Sequence, residues 1–309
     1  MTRQIQSYLY LALAMALVGT TVIASKIISS GLSPFVATAL RFAIALPVFV
    51  AAMRMTRTSW PTLKRRDWSI LIVQAAAGSV GYTTLLIWGL RSTSAADAGV
   101  ILGTLPVVSG AIAVLVLRER PHPALFLAIA MAAAGTVSIV YGPGFAAQQA
   151  VAGYLLIFAA VVCEGVFILL NKCLSQEIRP IAQATIMTGI GLAATILPAI
   201  AELPVAADLP AASLWSVVYY ALVPTVGGFF LWYAGSARVS GAEASIFTAF
   251  APISALLLAA ALLGEQIGLA QMLGTGCVLG AVLVLWAWSR NGNAGANAVM
   301  ANGDRSTGT

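Results

Sequence analysis

Four ionisable side chains lie within or at the edges of long uncharged runs: Arg41, Asp97, Glu164 and Glu243. A charge inside an apolar segment is costly to keep, so each is a candidate for function. Glu164 stands about two-thirds along its run, and two roles are open to it. It could face a central cavity, binding a substrate ammonium or carrying a proton, or it could hydrogen-bond a neighbouring helix. Arg41 lies in the outer third of its run, where a long side chain is expected to snorkel to the headgroups or to pair, ahead of contacting a substrate carboxylate. Asp97 and Glu243, each flanked by alanines, fall in first helical turns, where the helix dipole favours a carboxylate. Both read as structural or gating residues.

Catalysis finds little to use here. The single histidine, His122, sits between Pro121 and Pro123 in a loop, so no Ser/His/Asp set is plausible. Cys163, Cys173 and Cys277 have no paired spacing, no acidic or His/Cys cluster has metal-ligand spacing, and no Gly-Lys-Ser or Gly-Lys-Thr phosphate loop is present. No catalytic residue, metal or cofactor is expected, and the chain does not read as an enzyme. The net charge of +6 is spread over short loops, which argues for membrane topology and against a nucleic-acid partner.

The elements that must carry these residues are membrane helices. With 60% hydrophobic and 8% charged residues, and uncharged runs near the roughly 20 residues a bilayer requires, the chain reads as an all-α integral membrane protein. Ten spans are predicted: 5–25, 35–53, 68–90, 95–117, 124–140, 152–170, 181–201, 214–235, 241–263 and 267–288, with Pro and Gly clusters between them. Residues 8–119 recur 146 positions later: Tyr8 matches Tyr154, Gly19 Gly165, Lys26 Lys172, Pro106 Pro252 and Glu119 Glu265. The expected organisation is a first five-helix repeat at 1–145, a second at 146–289, and a disordered cytoplasmic tail at 290–309. An odd number of spans per copy inverts the second copy relative to the first. With the amino terminus in the cytoplasm, thirteen Lys and Arg fall inside and only Lys26 and Arg91 outside, so both termini are expected to be cytoplasmic. The first segment also resembles a secretory signal, but its repeat partner lies mid-chain, which favours a retained span.

Spans three and eight carry a further pattern. Gly78-Ser79-Val80-Gly81-Tyr82-Thr83 answers Pro224-Thr225-Val226-Gly227-Gly228-Phe229, and Gly and Pro at mid-membrane depth loosen a helix that must bend. Tyr82 matches Gly228, while Trp232 replaces Leu86, so one copy supplies an aromatic where the other leaves space. If these faces meet, they form an apolar pocket with aromatic walls; if not, Tyr82 and Trp232 are core or lipid-facing residues.

On Leu40-Arg41-Phe42 in span two, Leu263-Gly264-Glu265-Gln266, Gln271-Met272-Leu273-Gly274 and the duplicated five-span unit, the chain resembles the drug/metabolite transporter superfamily in its ten-span EamA branch. The resemblance covers nearly everything from Tyr8 to Trp288. It implies a cavity between the halves, lined mainly by spans one, three, four, six, eight and nine, and a bacterial inner-membrane exporter similar to the YddG-like aromatic amino-acid exporters.

The expected function is a secondary carrier or facilitator exporting amino acids or related small metabolites by alternating access. Tyr82 and Trp232 would supply apolar contact, Thr83 and Asn171 hydrogen bonds, and Glu164 a charge. Arg41, Gly81, Gly227, Gly228, Asp97 and Glu243 would serve gating or structure. The partners expected are a small-molecule substrate and membrane lipid, with a monomer as the assembly. A carrier of phosphorylated metabolites or nucleotide sugars would need more Lys and Arg facing the cavity, and a lipid-modifying enzyme would need clustered catalytic groups.

Overall fold

In the computed structural model, residues 3–117, 123–140, 148–176, 178–203, 209–236, 247, 250–284 and 287 are described. Glu119, His122, the Gly142-Pro143-Gly144 turn, Glu243 and the 290–309 tail lie outside the described residues.

The described residues form helices and connecting turns, with no strand among them. Numbered in chain order, α1 is Arg3–Ser29, α2 Pro34–Met55 and α3 Arg65–Gly89; α4 comes in two pieces, Ala95–Leu102 and Leu105–Leu117, and α5 is Pro123–Val140. The second half holds α6 Gln148–Lys172, α7 Pro180–Glu202, α8 in the consecutive pieces Ala211–Tyr220, Ala221–Gly227 and Gly228–Ser236, α9 Phe250–Leu263 and α10 Leu269–Val284. Seven of these are long and apolar enough to cross a membrane; α5, α9 and α10 are shorter apolar helices. Local chemistry sets the ends. Ser33 caps α2 by accepting from Val36 N–H, with Pro34 preset at the first helical position. Ser94 caps α4 through Asp97 N–H at 3.0 Å, and α9 stops at Gly264, whose φ of +67° suits a residue without Cβ.

Both α3 and α8 widen into a π-helical stretch, at Ala75–Gly81 and at Ala221–Gly227. The two stretches are 146 residues apart, the same offset as the sequence repeat. Gly78 and Pro224 sit at equivalent places in them, and a residue without Cβ or without N–H weakens the tighter α pattern there.

The halves pack by exchange. Helix α1 lies against α8 and α9, α6 lies against α3 and α4, and α2 lies against α7. Each contact has its counterpart under a swap of the copies, as a pseudo-two-fold axis requires. A Cβ on Gly89 would stand 2.6 Å from Ile157, and one on Gly235 would stand 2.8 Å from Leu11; the second pair is the first with the repeats interchanged. Leu11 and Ile157 are both fully buried. Outward faces are apolar, with Leu197 74% and Trp215 72% exposed, as a surface surrounded by acyl chains must be.

Candidate substrate site

The π stretch of α3 is the centre of the polar chemistry inside the bundle. Thr83 is buried and its hydroxyl donates to the Ser79 carbonyl at 3.1 Å. The same carbonyl accepts from Arg41 Nη2, also at 3.1 Å. Arg41 therefore does not snorkel. It is 7% exposed, and its guanidinium lies 4.4 Å from the Phe42 ring centroid and 4.7 Å from that of Tyr220 on α8. A backbone carbonyl and two aromatic faces inside the bundle outweigh the reach to headgroups, because a guanidinium binds both well.

Tyr82, buried one residue past the π stretch, sits beside Thr21 of α1 and within the electrostatic reach of Glu164, Tyr220 and Arg41. Glu164 is half-buried on α6, and the next-door Cys163 packs on Gly81, where a Cβ would come 3.1 Å from its sulfur. Helix α6 comes this close because Gly78 and Gly81 present no side chain to it; Gln74 adds a hydrogen bond to the Phe167 carbonyl at 3.0 Å. Arg41, Tyr82, Glu164 and Tyr220 thus form one cluster drawn from α2, α3, α6 and α8. Tyr220 is the member that the sequence reading missed. Its signal was position alone, the residue just before the second π stretch.

On α8, Gly228 is buried, yet a Cβ built on it meets no atom within 4 Å. The position equivalent to Tyr82 therefore borders open space. Gly227 has Leu222 oxygen 3.8 Å from its Cβ position, and Trp232, one turn past Gly228, is half-buried. Asn171 stands apart from the cluster. It is exposed in the last turn of α6, where its side-chain oxygen accepts from Gln183 of α7. Asp97 binds neighbours on two sides, accepting from Tyr154 of α6 at 3.0 Å and from Gln271 of α10 at 2.9 Å. A cavity of about 350 Å³ opens elsewhere, on the flank formed by α2, α7 and α8, lined by Phe49, Ala184, Val226, Phe229, Phe230 and Arg179. Among the described residues no group of three His, Cys, Asp or Glu could hold a metal ion.

Paired apolar five-helix units, closed on each other by symmetry-related glycine contacts and enclosing a buried polar cluster, define a multi-pass membrane protein of the transporter class. The chain belongs to the EamA-like transporter family of the drug/metabolite superfamily, whose model matches residues 5–141 and again 151–287, at the offset of the internal repeat. It is similar to an uncharacterized transporter, YetK, of Bacillus subtilis, with 31% identity over 91% of this chain and 87% of that one. A probable terminal-alkyne amino-acid exporter of Streptantibioticus cattleyicolor is 30% identical over 65% of this chain and 67% of its own length. The aromatic amino acid exporter YddG of Ancylobacter novellus is 26% identical over 73% and 78%. One solved crystal structure superposes with a TM-score of 0.63 at 22% identity, covering 94% of this chain and 98% of that one, a likeness of fold.

Proposed function

We propose that the protein exports amino acids, aromatic ones among them, or closely related metabolites across the bacterial inner membrane, as a secondary carrier or facilitator with both termini in the cytoplasm. The observation that carries this reading is the half-buried Glu164 within the electrostatic reach of the buried Tyr82 and Arg41, with the Phe42 and Tyr220 rings against the guanidinium. Such a lining suits a small amphipathic solute better than a polyanion. Two relatives named as exporters of amino acids support the substrate class.

The two halves, 1–145 and 146–289, would rock about their shared axis, with the π stretches of α3 and α8 as the places where each half bends. Tyr82, Trp232 and Thr83 would line the path, and Glu164 would meet the charged end of the cargo. A carrier of phosphorylated metabolites would hold phosphate with several cations. Arg41 is the cation of this cluster, which favours a cargo of low charge.

The test is uptake of labelled amino acids into liposomes holding the purified protein, with and without an imposed pH gradient. Saturable flux of aromatic amino acids is the expected outcome. Flux of sugar phosphates in their place would transfer the protein to the other cargo class.

A further inference from the structure

The Arg41 guanidinium has five N–H donors, and its hydrogen bonds run to the Ser79 carbonyl and the Tyr220 side chain, neither of them an anion. Its Nε is buried without a partner. Phe42 and Tyr220 hold the plane of the group but supply no anion. A cation so deeply placed and so little satisfied is expensive, and its planar fork matches a carboxylate held by two parallel bonds.

The opposite charge is close, though not in contact. Glu164 lies within the electrostatic reach of Arg41, yet the two make no ion pair within 4.0 Å, and no described residue hydrogen-bonds the Glu164 carboxylate. Arg41 belongs to the first half and Glu164 to the second. Their repeat counterparts are Met187 and Val18, so neither charge follows from the packing that the two copies share. Tyr82 adjoins both.

Resting on the amino-acid reading above, we infer that Arg41 and Glu164 form a zwitterion-reading pair, in which Arg41 takes the α-carboxylate of the cargo and Glu164 its α-ammonium. An α-amino acid carries both charges on one carbon, so one cargo molecule would meet both side chains. It thereby bridges the two halves of the protein. A decarboxylated amine or a deaminated acid satisfies one member and leaves the other charge unpaired.

Counterflow of labelled phenylalanine into liposomes holding the full chain tests this, with unlabelled phenylalanine, phenethylamine and phenylpropionate as competitors. Phenylalanine is expected to compete about tenfold or more better than either analogue, since a buried polar group left unpaired rejects the ligand that lacks its partner. Arg41→Gln is expected to weaken phenylalanine more than phenethylamine, and Glu164→Gln to weaken phenylalanine more than phenylpropionate. Melting temperatures of the purified variants show whether they fold, and the competitor panel on the unaltered protein stands without them. Wild-type protein that moves phenylalanine but accepts all three compounds equally overturns the pair alone. Parallel loss of all three in folded variants does the same. Wild-type protein that moves no amino acid overturns the export reading and the pair together.

Discussion

The carboxylate of Glu265 accepts the backbone N–H of Ala96 at 2.8 Å and, through its other oxygen, that of Ala95 at 2.9 Å. The contact joins the segment after α9 to the first turn of α4, across the two halves. Lys26 of α1 flanks it, donating to the carbonyls of Leu90 at 2.8 Å and Thr93 at 2.6 Å, and lies in the field of Glu265. With Asp97 bonded to α6 and α10, this turn of α4 is held from three sides. That makes it a place where opening must break named bonds.

Replacing Glu265 by Ala leaves the Ala95 and Ala96 amides unpaired, at a cost of about 1–2 kcal/mol for a charge-assisted cap. A lower melting temperature in detergent is expected, together with faster labelling of Ser94→Cys by an impermeant maleimide in a cysteine-free background. Unaltered melting and labelling would show that the cap does not hold this end.

Gly89→Ala and Gly235→Ala each press a methyl group into a fully buried neighbour, Ile157 or Leu11, and both are expected to destabilise by about 1–3 kcal/mol. Gly228→Ala enters open space inside a helix, where the change is expected to be neutral or to stabilise by up to about 1 kcal/mol. Thermal unfolding of the three variants separates the cases. Equal losses at all three positions would contradict the close approach at α3/α6 and α8/α1.

Gly264 has a φ of +67°, a conformation that costs an L side chain about 1 kcal/mol. Gly264→Ala should lower the melting temperature, and Gly264→Asn should lower it less, because Asn tolerates this region. The reverse order would place the chain reversal after α9 in another conformation.

Trp232→Ala should weaken aromatic cargo more than aliphatic cargo, by about five- to tenfold in relative transport, the worth of one aromatic pair. Competition between phenylalanine and leucine measures it. An equal loss for both would remove Trp232 from the stacking surface.

Arg41 and Asn171 show where reading a linear chain reaches its end. Depth along a helix follows from counting residues, and both depths were legible. Direction around the helix was not. In a water-soluble bundle the polar stripe reveals the outward face, but lipid is as apolar as the core, so the Leu, Ala, Val and Ile of α2 and α6 carry almost no azimuthal signal. Arg41 could point out to headgroups or inward to Ser79, and Asn171 could line the path or cap the end of α6 against Gln183. Tyr220 passed unnoticed for the same reason, as one aromatic in an apolar run.

Length and apolar runs, Pro and Gly punctuation, and the 146-residue register were enough to specify helices throughout, their order and a two-copy family fold, because these depend on local backbone chemistry and on matches along one chain. The π stretches at 75–81 and 221–227 even fall at the Gly- and Pro-containing segments that the register aligned. Which charges face each other depended on long-range packing. Arg41 and Glu164 are 123 positions apart, in different halves, and only the way the glycine faces of α3 let α6 approach brings them to one cluster. Side-chain direction in an apolar solvent is set by neighbours, and neighbours are known once the halves have closed.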